Sequence, residues 1–237
     1  MLRQMLQAAL IAGATGGLIV TAVQQWQVVP LILEAETYEQ AVAEADSTTS
    51  GQNKSEAFSE TLEHADSEEQ SWAPEQGIER TLFTALNNIL LGIGFSMLLV
   101  AGYAVRGEVN WRQGILWGLA GFASFALAPA LGLPPEPPGA AAAELFDRQL
   151  WWLGTVVATA LGLAVMIFGR RWWMWAAGAV VLAAPHVIGA PHPAELGGLA
   201  PPELAGSFVV ASLFSMAVFW SVLGALSALL YRRLVAG

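Results

Sequence analysis

The chain has 237 residues, 55% of them hydrophobic and only 12% charged, with a mean hydropathy of +0.54. A soluble domain carries roughly a quarter charged residues, so this composition argues against a soluble fold and for a membrane protein. The formal charge, 10 − 19 = −9, lacks the basic footprint of a nucleic-acid binder, and the absence of cysteine excludes disulfides, thiolate metal sites and iron–sulfur clusters of its own.

A helix crosses the hydrocarbon core with about 20 apolar residues. Six stretches reach that length, at roughly 5–28, 82–105, 113–131, 150–168, 172–190 and 206–230. The expected fold is an all-α membrane protein, a polytopic bundle of about six transmembrane helices, with residues 1–237 forming a single integral membrane domain. The first stretch follows Arg3, as a secretory signal would. Its apolar run continues through Val28 and Val29 with no small-residue cleavage site close behind, so it reads as an uncleaved span.

Basic residues orient the bundle. Arg3, Arg106, Arg112, Arg170, Arg171, Arg232 and Arg233 fall at the N-terminus, the second and fourth loops and the C-terminus, while Lys54, Arg80 and Arg148 fall between them. Seven against three places both termini in the cytoplasm; the expected location is a bacterial inner (cytoplasmic) membrane. Of the 19 acids, 18 then lie on the outer side, Glu108 being the exception, and 13 of them crowd the first outer loop at 31–80.

Within that loop, residues 44–76 are acidic and poor in β-branched apolar residues, which predicts a partly mobile segment. Phe58, Leu62 and Ala65 mark one short amphipathic helix inside it. The loop before the fourth span is stiffened by Pro134, Pro135, Pro137 and Pro138. Small residues at helical spacing, Gly13 with Gly17, Gly114 with Gly118, and Gly154 with Gly162, predict close helix packing in lipid. Trp151, Trp152, Trp172, Trp173 and Trp175 sit near span ends, as interfacial aromatics do. No internal repeat is evident, which leaves an inverted-repeat transporter within one chain unsupported.

Chemistry concentrates on the outer side. His186 follows Pro185 late in the fifth span, and an ionisable group at that depth is a functional candidate. His192, between Pro191 and Pro193, lies on a stiff connector just beyond it, and Glu195 follows. Glu34 and Glu36 leave the first span directly after an apolar run. His64 stands four residues after Glu60, a helical spacing that lets the two share a divalent ion. Each also has a plainer reading: a headgroup-wetted histidine, or a solvated acidic face. Imidazole and carboxylate together suit Zn, Ni, Co and Mn, and the lack of thiolate argues against Cu(I). An acidic vestibule would concentrate any cation.

Several stretches carry a family resemblance. They are VVPLILEAETYE at the first outer boundary, WAPEQGIERTLFTALNNILLGIGFSMLL into the second span, LGLPPEPPGAAAAELFDRQLWWLGTVVATALGL, and APHVIGAPHPAELGGLAPPELAGSFVVASLFSMAVFWSVLGALSALLYRR. In order and loop length they resemble CbtA, a cobalt transporter subunit. The resemblance implies a permease-type membrane subunit that supplies Co²⁺ for cobalamin synthesis, beside a small one-span partner bearing histidines. It also implies a histidine-rich first outer loop, and here FSETLEHADSEEQSWAPEQG keeps only His64.

The leading expectation is therefore a divalent metal uptake subunit, with Co²⁺ as the transported ion and no resident cofactor. The ion gathers at the acidic loop and passes Glu34, Glu36, His186, His192 and Glu195. The alternative is a non-transporting scaffold or assembly subunit, and the small-residue faces suit that role, or a homo-oligomer, equally well. An enzyme is not expected: HExxH, GxSxG and the phosphate-binding GxxxxGK[ST] are all missing.

Overall fold

The computed structural model describes residues 1–52, 77–107, 109–193 and 197–235. Among these every regular element is a helix, without strands: α1 (Leu2–Gln27), α2 (Val29–Gln52), α3 (Ile78–Arg106), α4 (Trp111–Ala130), α5 (Leu145–Phe168), α6 (Trp172–Ile188) and α7 (Pro202–Leu234). Helices α1, α3, α4, α5 and α7 are long and apolar enough to cross a membrane. Helix α6 stands where the fifth span is expected but has 17 residues, because the chain turns away at Gly189 with φ +89°. At 1.5 Å per residue it measures about 26 Å, slightly less than the hydrocarbon core of about 30 Å. The chain is an all-α, multi-pass membrane protein.

Helix α2 is unexpected. It continues α1 almost without a break, since the Val28 amide donates to the Gln24 carbonyl at 2.8 Å and the Ile32 amide to the Val28 carbonyl at 3.1 Å. Pro30 falls at the second residue of α2, where a helix needs no backbone donor. The start of the loop after the first span is thus an acidic helix. The predicted short helix around Phe58, Leu62 and Ala65 lies outside the described residues.

In lipid no hydrophobic force drives helices together, so backbone proximity and polar contacts must do so. Three pairs are sealed this way. A β-carbon on Gly13 of α1 would collide with the backbone of Ile93 on α3, and one on Gly17 with that of Asn88. Gly114 and Gly118 of α4 stand equally close to Gly224 and Trp220 of α7. Gly162 of α5 faces Gly178 of α6, whereas Gly154, grouped with it by spacing, has nothing within 4 Å.

Buried hydrogen bonds reinforce the first pair and tie α3 to α7. Asn88 donates to Thr21 at 3.0 Å and to Gln24 at 2.7 Å, and Gln25 donates to Thr81. Nearer the other end, the Tyr103 hydroxyl meets the Ser227 hydroxyl at 3.1 Å and the Gly224 carbonyl.

The packing divides the molecule into two bodies. Helices α1, α3, α4 and α7 share a core of Leu99, Tyr103, Phe219, Trp220, Leu223 and Tyr231. The α5–α6 hairpin reaches that body through α4, mainly where Ala123–Leu127 wind into a π-turn. In that turn the Ala128 amide reaches back five residues to the Ala123 carbonyl.

Candidate metal-receiving site at the acidic end

Alternating helices carry Arg3, Arg106, Arg112, Arg170, Arg171, Arg232 and Arg233 to one end of the bundle. The described carboxylates, Glu34, Glu36, Glu39 and Glu44 of α2 among them, belong to the other. Two loops build this acidic end together with α2. Residues 139–141 and 197–199 clasp one another through an isolated bridge between Ala140 and Gly198. The Ala141 amide donates to the Gly197 carbonyl, and the Leu199 amide to the Gly139 carbonyl, both at 3.0 Å. Gly139, at φ +73°, lies so close to Glu39 that a β-carbon would stand 2.9 Å from that side chain. Proline stiffness in one loop and glycine freedom in the other allow the fit.

His186 is the best-defined candidate. It lies half-buried near the end of α6, and its ring meets Trp151 of α5 edge-on, with 5.9 Å between centroids. The Trp151 indole donates to the Pro185 carbonyl at 3.2 Å, which fixes the turn carrying the histidine. His186 Nε2 is buried and without a hydrogen-bond partner, an arrangement that costs free energy unless something binds there. Trp151 thus does more than mark an interface. It positions His186 and packs against Gly132, where a β-carbon would stand 2.5 Å from the indole. Nothing in the sequence separates Trp151 from the neighbouring tryptophans, because its partner lies 35 residues downstream.

The other candidates are more scattered. His192 is exposed on the connector after α6. Glu34 is exposed on α2, where its carbonyl accepts the Thr37 hydroxyl at 2.7 Å. Glu36 is engaged by Arg80 of α3 through two hydrogen bonds, at 2.6 and 3.2 Å, so it clamps α2 to the start of α3. A fork of this kind neutralises both charges and holds geometry. Glu195 and His64 lie outside the described residues. Among the described residues no group of three or more histidine or carboxylate side chains gathers closely enough to hold a metal ion. Deeper in the spans, Thr155 bonds to the Trp151 carbonyl and Ser215 to the Ser212 carbonyl, while the buried hydroxyls of Ser96 and Thr159 have no hydrogen-bond partner.

Residues 2–232 match the family model described as "Probable cobalt transporter subunit (CbtA)". No curated protein and no solved structure matches the chain.

Proposed function

Since the chain belongs to the CbtA family of probable cobalt transporter subunits, we propose that it is the membrane-embedded subunit of a divalent metal uptake system that admits Co²⁺ at the acidic end. The observation that carries this reading is the family match across nearly the whole length. Charge supports the direction: the arginine-rich end faces the cytoplasm of a bacterium by the positive-inside rule, and the acidic end faces out.

Carboxylates on α2 and in the loop after it raise the local concentration of cations. His186, with its unpartnered Nε2, takes the ion together with His192 and Glu195 on the adjacent connector. Glu34 offers an exposed carboxylate on the approach, and His64 a further imidazole in the acidic loop. Glu36 serves this mouth through its ion pair with Arg80, which holds α2 in place. An inward Co²⁺ gains about 2.3 kcal/mol per charge for each 100 mV of inside-negative potential, so the chain needs no nucleotide site of its own. Transport rather than catalysis is the role, and a small one-span subunit bearing histidines is the partner.

The test is uptake of radioactive Co²⁺ by cells expressing the chain, with His186→Ala/His192→Ala at matched membrane abundance. The expected result is uptake above the empty vector that the double variant loses. Uptake unchanged in the double variant would remove the histidine mouth. Uptake no higher than the vector, even with a histidine-bearing small subunit present, would leave the scaffold reading, which the scattered placement of the described candidate ligands favours.

A further inference from the structure

Toward the arginine-rich end, α3, α4 and α5 border a cleft of about 590 Å³. Leu98, Leu116 and Ile167 line it and are themselves exposed, so it opens sideways onto the lipid-facing surface of the bundle. The cleft follows α3 from Phe95 to Arg106 and α4 from Gln113 to Phe125. At 1.5 Å per residue those runs measure about 16 and 18 Å. One leaflet, half of a hydrocarbon core of about 30 Å, measures about 15 Å.

The two ends of the cleft differ in chemistry. Toward the middle of the bundle it closes on Phe95, Phe125 and Trp220, and the Ser124 hydroxyl there is already bonded to the Ala120 carbonyl at 2.9 Å. Arg106 and Gln113 stand at the mouth. The Arg106 guanidinium is exposed and makes no ion pair or side-chain hydrogen bond among the described residues. The ion pairs Arg80–Glu36 and Arg148–Glu136 both lie at the acidic end. Gln113 accepts the Asn110 amide through Oε1 at 3.0 Å, which leaves its NH₂ group to donate. Between mouth and closed end the lining is apolar apart from the Trp117 indole.

We propose that this cleft is the site of one anionic phospholipid from the leaflet at the arginine-rich end, its acyl chain laid along α4 and its phosphate held by Arg106 and Gln113. The proposal needs only the membrane-embedded fold and is independent of the transport reading. An apolar cleft that stayed empty would forfeit dispersion contacts along its whole lining, and water finds too few polar partners there to fill it. An acyl chain suits it. Chains alone do not discriminate among lipids, so selectivity comes from the mouth. A guanidinium matches the oxygens of a phosphate with two parallel donors, and basic pockets between transmembrane helices take anionic headgroups in this way. With Ala160 and Ala164 of α5 on one wall and Leu98 and Leu99 of α3 on another, the bound lipid bridges the hairpin and the four-helix body.

The purified chain is titrated in detergent with phosphatidylglycerol and with phosphatidylcholine, and bound lipids are counted by native mass spectrometry. The expected result is one saturable phosphatidylglycerol, held about fivefold more tightly than phosphatidylcholine. Arg106→Gln removes that preference. Arg233→Gln, which deletes the same charge from an exposed position of α7 away from the cleft, preserves it. Ala164→Phe fills the cleft and abolishes saturable binding of both lipids with Arg106 still in place.

The proposal is overturned if the wild type holds the two lipids equally, if Arg233→Gln costs as much preference as Arg106→Gln, or if Ala164→Phe still retains phosphatidylglycerol. A chain that retains no phosphatidylglycerol, as a cleft reserved for a protein partner would not, also overturns it. Arg106 and Arg233 are both exposed, so their comparison stands even where Ala164→Phe fails to fold.

Discussion

The four-helix body and the α5–α6 hairpin are held together internally by the same device and to each other by a different one. Inside each, glycines bring helix backbones into direct contact, Gly13 on α3 and Gly114 on Gly224 in the body, Gly162 on Gly178 in the hairpin. Between them large aromatic rings meet, Phe125 with Trp152 beside the π-turn and Trp117 with Phe168. Backbone contacts have no room to adjust, whereas ring contacts can slide and re-pack at small cost. The contrast teaches where motion can occur in a bundle otherwise packed tightly in lipid.

Substitutions that break the glycine contacts should have the largest effects. Gly224→Leu forces a side chain into the α4 backbone and should destabilise the body by upwards of about 3 kcal/mol, read as loss of a monodisperse peak in detergent. Gly162→Leu should be milder in scope: the hairpin splays while the body survives, seen as proteolysis confined to α5 and α6. Asn88→Ala leaves Thr21 and Gln24 without their partner and should cost about 1–2 kcal/mol in thermal unfolding. Arg80→Ala frees a partly exposed ion pair and should cost only about 0–1 kcal/mol, while loosening α2 as read by hydrogen exchange. Gly154→Leu should change nothing, because open space surrounds it; a large loss there would show that spacing, not contact, decides.

Sequence and structure agree where one dimension suffices. Span positions follow from runs of apolar residues, and the pairing of Gly114 with a partner helix from small-residue spacing. The same rule misjudges Gly154, since spacing identifies a face but not what stands opposite it. Helix α2 is hidden because its acidic, weakly apolar sequence resembles a loop, and its helicity is inherited from α1 through the Val28 joint. The position of His186 in the last turn of α6 is legible from the span pattern. Its partner Trp151, the Glu36–Arg80 clamp and the clasp between the loops at Gly139 and Leu199 are not, because each joins residues more than 30 positions apart. The π-turn leaves no mark in ASFAL, whose residues would sit equally well in an α-helix.

The most direct test of the account is Co²⁺ influx into liposomes containing the purified chain, followed by an internal metal-quenched dye while the membrane potential is varied. A metal path through this chain predicts influx that rises as the interior is made more negative and falls in His186→Ala/His192→Ala. Influx no faster than in protein-free liposomes at every potential, with the chain folded and inserted, would contradict it.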